Sequence, residues 1–140
     1  MGWPGTREAI DCALDVGVGG FLLRGGPRYE VAQLARALHA HSGVPLLVAA
    51  DLERGAGEHF LGAVELPPAG ALASLGDAHV IRRAALITAR DARELGINWA
   101  LAPVLDLDLE NGNPIVGTRG FASDARRVAE CLGEICDPVL

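Results

Sequence analysis

Val44-Pro45-Leu46-Leu47-Val48-Ala49-Ala50-Asp51 is the stretch that decides the fold. It is apolar throughout and stops at a carboxylate. A strand that does not alternate polar with apolar is expected to be buried on both faces, as in a parallel sheet covered by helices. Upstream, Val31, Leu34, Ala35 and Leu38 recur at helical spacing over residues 30–40, and His41-Ser42-Gly43 ends that segment. Further upstream, the short run Val18-Gly19-Gly20-Phe21-Leu22-Leu23 halts at Arg24-Gly25-Gly26-Pro27. Before it, Thr6 can cap a short helix carrying Ile10, Ala13 and Leu14, and Gly17 can end it.

Downstream of Asp51, residues 52–76 read as a long connection rich in Gly and Pro. Asp77 caps the best helix in the chain, with Ile81, Ala85, Thr88, Ala92 and Leu95 on one face and Gly96 at its end. Arg82, Arg83, Arg90 and Arg93 face elsewhere. A third apolar run, 97–105, stops at Asp106, and a loop over 107–120 leads to a last helix. Ser123 is its expected cap, and Val128, Cys131, Leu132 and Ile135 form its apolar stripe.

The order of strands and helices predicts an α/β fold with about three parallel βα units. Three strands make a poor finished domain. A closed eight-stranded barrel needs roughly 200 residues or more, and an open three-stranded sheet leaves two bare edges. The 140 residues therefore read as a single incomplete domain, with the remainder of a barrel as the missing partner.

Composition narrows the partners. Half the residues are hydrophobic, 21% are charged and the net charge is −6. An acidic chain without clustered basic residues argues against nucleic acid. All the basic residues are Arg, and there is no Lys. No apolar run approaches the ~20 residues of a membrane span. Cys12, Cys131 and Cys136 cannot all pair and form no C-x-x-C, so buried thiols in a reducing cytoplasm are expected.

In parallel α/β folds, ligands bind beyond the C-terminal ends of the strands. Asp51 and Asp106 end two of the three runs and would share one mouth, although a strand-end Asp often only caps the next turn. Arg119 follows the constrained stretch Asn113-Pro114-Ile115-Val116-Gly117-Thr118. A rigid guanidinium fork donates and a carboxylate accepts. Asp51 and Arg119 can together grip the hydroxyls of a neutral polyhydroxylated ligand; an ordinary surface Arg is the plainer reading.

Other motifs fail. Asp106-x-Asp108-x-Glu110 opens like a calcium loop, but Asn111 stands where Gly is required and Gly117 where Glu is required. Gly17-x-Gly19-Gly20 lacks the last Gly of a dinucleotide fingerprint, and without Lys there is no phosphate loop. His39, His41, His59 and His79 are not spaced as metal ligands. No cofactor or metal is expected.

Four segments, in order, carry a family resemblance. Pro45-Leu-Leu-Val-Ala-Ala-Asp51-Leu-Glu53-Arg-Gly55 resembles the P-L-[LI]-[IV]-A-x-D-x-E-x-G segment of family 3 glycoside hydrolases. Leu66-Pro67-Pro68-Ala69-Gly70-Ala71-Leu72 is similar to their [FL]-P-x-x-x-A-L stretch. Residues 95–106 match L-G-I-N-x-x-x-A-P-V-x-D, and residues 113–121 match N-P-x-[IV]-G-x-R-x-F. The resemblance spans roughly residues 17–130.

It implies a (β/α)₈ barrel that cleaves β-linked sugars with retention, as a β-N-acetylhexosaminidase or β-glucosidase acting on β-glycosides, some of them cell-wall fragments. By that similarity Asp51 holds sugar hydroxyls and Arg119 contacts the same sugar, with Glu53 and Asp106 as supporting candidates. Two departures matter. The family's usual Arg after the Asp-x-Glu is Ala56 here, and a later Arg is His59. The family's Lys-His segment, acid/base His and Asp nucleophile all follow the Arg-x-Phe segment and are not found in these 140 residues. No residue of this chain is thus assigned as nucleophile or acid/base. A non-catalytic carbohydrate-binding remnant or pseudoenzyme is the alternative.

Overall fold

The computed structural model describes residues 7–109 and 115–136. The expected Thr6 cap and the Asn113-Pro114 step lie outside the described residues. The order is α1 (Arg7–Asp15), β1 (Gly20–Leu22), α2 (Arg28–His41), β2 (Leu47–Asp51), α3 (Ala69–Ser74), α4 (Ala78–Leu95), β3 (Trp99–Leu101) and α5 (Ala125–Cys136). Short 3-10 turns occupy Ala56–Glu58 and Gly117–Arg119. The three strands form one parallel sheet in the order β1-β2-β3. Leu22, Ala49 and Trp99 stand in one row across it.

Alternation along β2 sets the core. Val48, Ala50 and Leu52 point into a cluster with Val31, Ala35 and Leu38 of α2 and Ala92 and Leu95 of α4. A second, smaller core joins Ala69 and Ala73 of α3, Ile81 of α4, Phe121, and Val128 and Cys131 of α5. On the other side of the sheet Leu22, Leu47 and Trp99 remain 57%, 49% and 50% exposed. Burial on both faces therefore holds only for the middle of β2. Among the described residues, the helices cover one face, and the outer strands lack a further neighbour.

Asp77 caps α4 by accepting the His79 N–H at 2.9 Å. Gly96 ends the helix with φ +76°, and a Cβ there would lie 2.8 Å from the Ala35 Cβ, so both conformation and packing require glycine. At α5 the cap is Asp124 rather than the expected Ser123, because Asp124 Oδ1 accepts the Arg127 N–H at 3.0 Å. Helices α4 and α5 are bridged by Arg82 and Glu134 at 3.1 Å.

Asn98 joins β3 to β2 with its side chain as well as its backbone. Its Oδ1 accepts the Val48 N–H at 2.7 Å and its Nδ2 donates to the Leu46 carbonyl at 2.8 Å. The backbone N–H of Asn98 donates to the Val48 carbonyl at 3.0 Å. Cys131 is buried and Cys136 half-buried, but Cys12 is exposed on α1, contrary to the expectation of three buried thiols. Among the described residues, no helix is long and apolar enough to cross a membrane.

Candidate functional site

Asp51 is the last residue of β2 and points away from the helix-covered face, as the alternation with Ala50 and Leu52 requires. Its carboxylate is one-third exposed and meets Arg24, which follows β1, at 4.0 Å. Beyond β2 the chain folds back on itself. Gly57 donates to the Val64 carbonyl at 2.8 Å, and Leu66 donates to the Arg54 carbonyl at 2.8 Å. The approach at Gly57 is so close that a Cβ would sit 2.2 Å from the Glu65 nitrogen. Asp91 of α4, wholly buried, accepts the Val64 N–H at 3.1 Å and so ties this loop to the helix layer.

That loop presents Glu53. Arg119, 66 residues further on, reaches it as a bidentate fork: Nε to Oε2 and Nη2 to Oε1, both 2.8 Å. Arg119 Nη1 also donates to the Ile115 carbonyl at 2.8 Å. Three bonds thus fix the guanidinium plane. The Arg119 hydrogen bond holds the Glu53 carboxyl below its ordinary range, aided by the charges of Arg119 and His59 and opposed by partial burial. Reciprocally, the Glu53 hydrogen bond raises Arg119, with Asp106 and Glu58 adding negative field. Both groups stay ionised at neutral pH.

The expected residues therefore fall into two clusters. Glu53 and Arg119 are joined directly, and Asp106 lies exposed on the segment after β3, close enough for its charge to act on Arg119. Asp51 has Arg24 as its cation rather than Arg119. Arg24, Arg54 and Glu58 did not emerge from the sequence as site residues; the close return of the loop at Gly57 is what brings the last two to the mouth. Among the described residues, no group of His, Cys, Asp and Glu is gathered as a metal site.

Two cavities flank the Glu53–Arg119 pair. One, about 180 Å³, lies against α4, with Ala84, Ala85, Ala89, Ala100 and Phe121 in its walls. Its mostly apolar lining offers a polar ligand few hydrogen bonds. The other, about 320 Å³, has a mixed lining that includes Arg54, Glu58 and Thr118 together with Glu53 and Arg119, and Pro68 and Ala69.

Parallel βα units with acidic and basic side chains gathered beyond the strand ends define the class: an α/β domain with a candidate polar site at the C-terminal mouth of its sheet. The particular family follows from comparison with known proteins. The profile of the Glycosyl hydrolase family 3 N terminal domain matches residues 8–137, and the chain belongs to that family. A "Beta-N-acetylglucosaminidase/beta-glucosidase" of Cellulomonas fimi is 41% identical over 122 residues, which is 87% of this chain and 22% of the relative. A "Beta-hexosaminidase" of Nitrosomonas eutropha is 32% identical over 108 residues, covering 72% of this chain and 31% of the relative.

Among solved structures, a glycoside hydrolase family 3 β-N-acetylglucosaminidase from Paenibacillus sp. FPU-7 superposes with a TM-score of 0.85 at 30% identity. That match covers 96% of this chain and 27% of that one. NagZ from Neisseria gonorrhoeae, in complex with N-trifluoroacetyl-D-glucosamine, gives a TM-score of 0.83 at 25% identity over 96% of this chain and 43% of that one. The chain thus spans between a fifth and a half of the proteins it matches. Its three βα units are part of a (β/α)₈ barrel.

Proposed function

We propose that these 140 residues are the sugar-holding front portion of a retaining β-glycosidase, of β-N-acetylhexosaminidase or β-glucosidase type, and do not by themselves cleave the glycosidic bond. The names of the relatives support the substrate class. The observation that carries the reading is the bidentate grip of Arg119 on Glu53, 66 residues apart in the chain, two residues beyond the strand end that presents Asp51. In this reading Asp51 accepts hydroxyls of the sugar at the cleavage point. Arg119, oriented by Glu53, donates to the same sugar, and Asp106 adds to the negative field around it. Retaining cleavage also needs a nucleophile and an acid/base about 5 Å apart. None of the residues at this mouth is given either role, which makes the chain one incomplete domain of a larger catalytic unit.

The test has two arms. An aryl β-N-acetylglucosaminide incubated with purified 1–140 should release no phenol above background; turnover would refute the non-cleaving half. Titration with N-acetylglucosamine and with glucose, followed by NMR, should shift amides around Asp51 and Arg119. Asp51→Asn should weaken the binding sugar by about tenfold or more, the loss expected when a charged hydrogen-bond acceptor is neutralised. An unchanged affinity in that variant would refute the role of Asp51.

A further inference from the structure

We propose that Asp91, buried in α4 away from the mouth, is a positioning residue for Glu53 and Arg119. It fixes Val64, and Val64 fixes the loop that aims Glu53 at the guanidinium. That Asp91 thereby supports sugar binding rests on the proposed function; its hold on Arg119 does not.

Val64 is the pivot. Its N–H donates to Asp91 Oδ2 at 3.1 Å, and its carbonyl accepts the Gly57 N–H at 2.8 Å. The same carbonyl lies so close to Gly55 that a Cβ there would approach it to 2.7 Å. Gly55 and Gly57 closely follow Glu53 in the chain. Just past Val64, the Leu66 N–H donates to the Arg54 carbonyl at 2.8 Å. A displaced Val64 peptide therefore moves the backbone that carries Glu53. Glu53 in turn accepts two of the three hydrogen bonds that orient Arg119. Both must be made at once, so a modest turn of the Glu53 carboxylate breaks the fork.

The surroundings of Asp91 suit this task. It is wholly buried, with Arg90 Nη2 at 3.1 Å and Arg28 Nη2 at 3.9 Å. Arg28 also donates to the Gly62 carbonyl at 3.5 Å and pairs with Glu94. The backbone N–H of Arg28 donates to the Leu61 carbonyl at 2.9 Å. The tip of the loop is thus tied to α2, and its return is tied to α4 through Asp91. Burying a carboxylate is costly, and an apolar side chain of similar size often serves stability as well or better. An apolar side chain cannot hold one N–H at one place. The geometry required at Val64 therefore accounts for a carboxylate here.

The experiment follows the Arg119 Nε–H signal of the isotope-labelled 140-residue chain by NMR, identified by its absence in Arg119→Lys. Glu53→Gln gives the position of that signal without the ionic fork. In Asp91→Ala and Asp91→Leu the signal should move most of the way to that position. Asp91→Asn can still accept the Val64 N–H and should restore the wild-type signal. Leu38→Val, which thins the core at the far end of α2, controls for lost stability and should leave the signal in place. Asp91→Leu fills the site without accepting a hydrogen bond, so it reports even where Asp91→Ala fails to fold. Affinity for N-acetylglucosamine should fall about tenfold in the two variants that cannot accept, and stay near wild type in Asp91→Asn. An unmoved Arg119 signal in both of those variants overturns the inference, as does an equal movement in Leu38→Val. If wild type binds no sugar, the proposed function falls, and the Arg119 signal still decides the role of Asp91.

Discussion

Replacing Asp91 with Ala removes the one wholly buried charged side chain among the described residues. Its Oδ2 accepts the Val64 N–H at 3.1 Å, and its Oδ1 meets Arg90 at 3.1 Å and Arg28 at 3.9 Å. A hydrogen bond to a charged group contributes about 1.5–3 kcal/mol. Arg90 is 59% exposed, so its pairing adds little, about 0–1 kcal/mol. The better helix propensity of Ala returns roughly 0.5 kcal/mol. The expected net loss for Asp91→Ala is therefore about 1–3.5 kcal/mol. Asp91→Asn can still accept the Val64 N–H and should lose only about 1 kcal/mol.

Urea unfolding of the three chains, with m unchanged, measures both differences. Amide exchange at Val64 should accelerate in the Ala variant well before exchange in β2 does. A loss under about 1 kcal/mol for Asp91→Ala would refute the reasoning. It would mean that relief from burying the carboxylate cancels the bond to the loop.

Three further outcomes follow from the geometry. Gly57→Ala should destabilise by several kcal/mol or displace the loop, because the new Cβ meets backbone atoms of residues 63–65 rather than a movable side chain; the Val64 amide shift and thermal unfolding report it. Glu53 has a lowered pKa, so the stability from its pairing with Arg119 is fully present above its ordinary 4.5 and disappears as pH falls through the lowered value. Wild type should therefore exceed Glu53→Gln in stability near pH 6 and converge on it in acid, and a constant gap across that range would contradict the pairing. Burial raises the Cys131 thiol and Cys12 is exposed, so iodoacetamide should modify Cys12 first and reach Cys131 only on unfolding, as mass spectrometry of timed samples would show.

The elements with strong local signals are legible in the sequence alone. The apolar run ending at Asp51 is β2, the four- and three-residue spacing from Ile81 to Leu95 is α4, and Gly96 ends it. Helix α3 was hidden because Pro67-Pro68 and Gly70 read as loop, and six residues are too few to show a period. The both-face burial was overstated for a different reason. Apolar side chains on β1 and β3 state what those faces require, and the covering depends on what packs there.

At the site, position at the strand ends picked out Asp51 and Asp106, the constrained stretch before Arg119 picked out that residue, and the family motifs supported Asp51 and Arg119. Which carboxylate Arg119 grips was not legible, since Asp51 and Glu53 are two residues apart and only the loop's return decides between them. Arg54 and Glu58 depend on the same return. Their positions come from backbone contacts of Gly57 and Leu66 that no spacing rule describes.

Asn98 carries a consequence for the mouth itself. Its amide holds Leu46 and Val48 at once, residues 52 and 50 positions away, and this two-point grip fits a single alignment of β3 on β2. A slip by one residue would exchange the two faces of β3 and shift the segment that follows it, which carries Asp106. The placement of Asp106, whose charge acts on Arg119, therefore depends on an amide at the start of β3, and a lesion at Asn98 would be felt beyond the strand ends without touching any of the charged residues there.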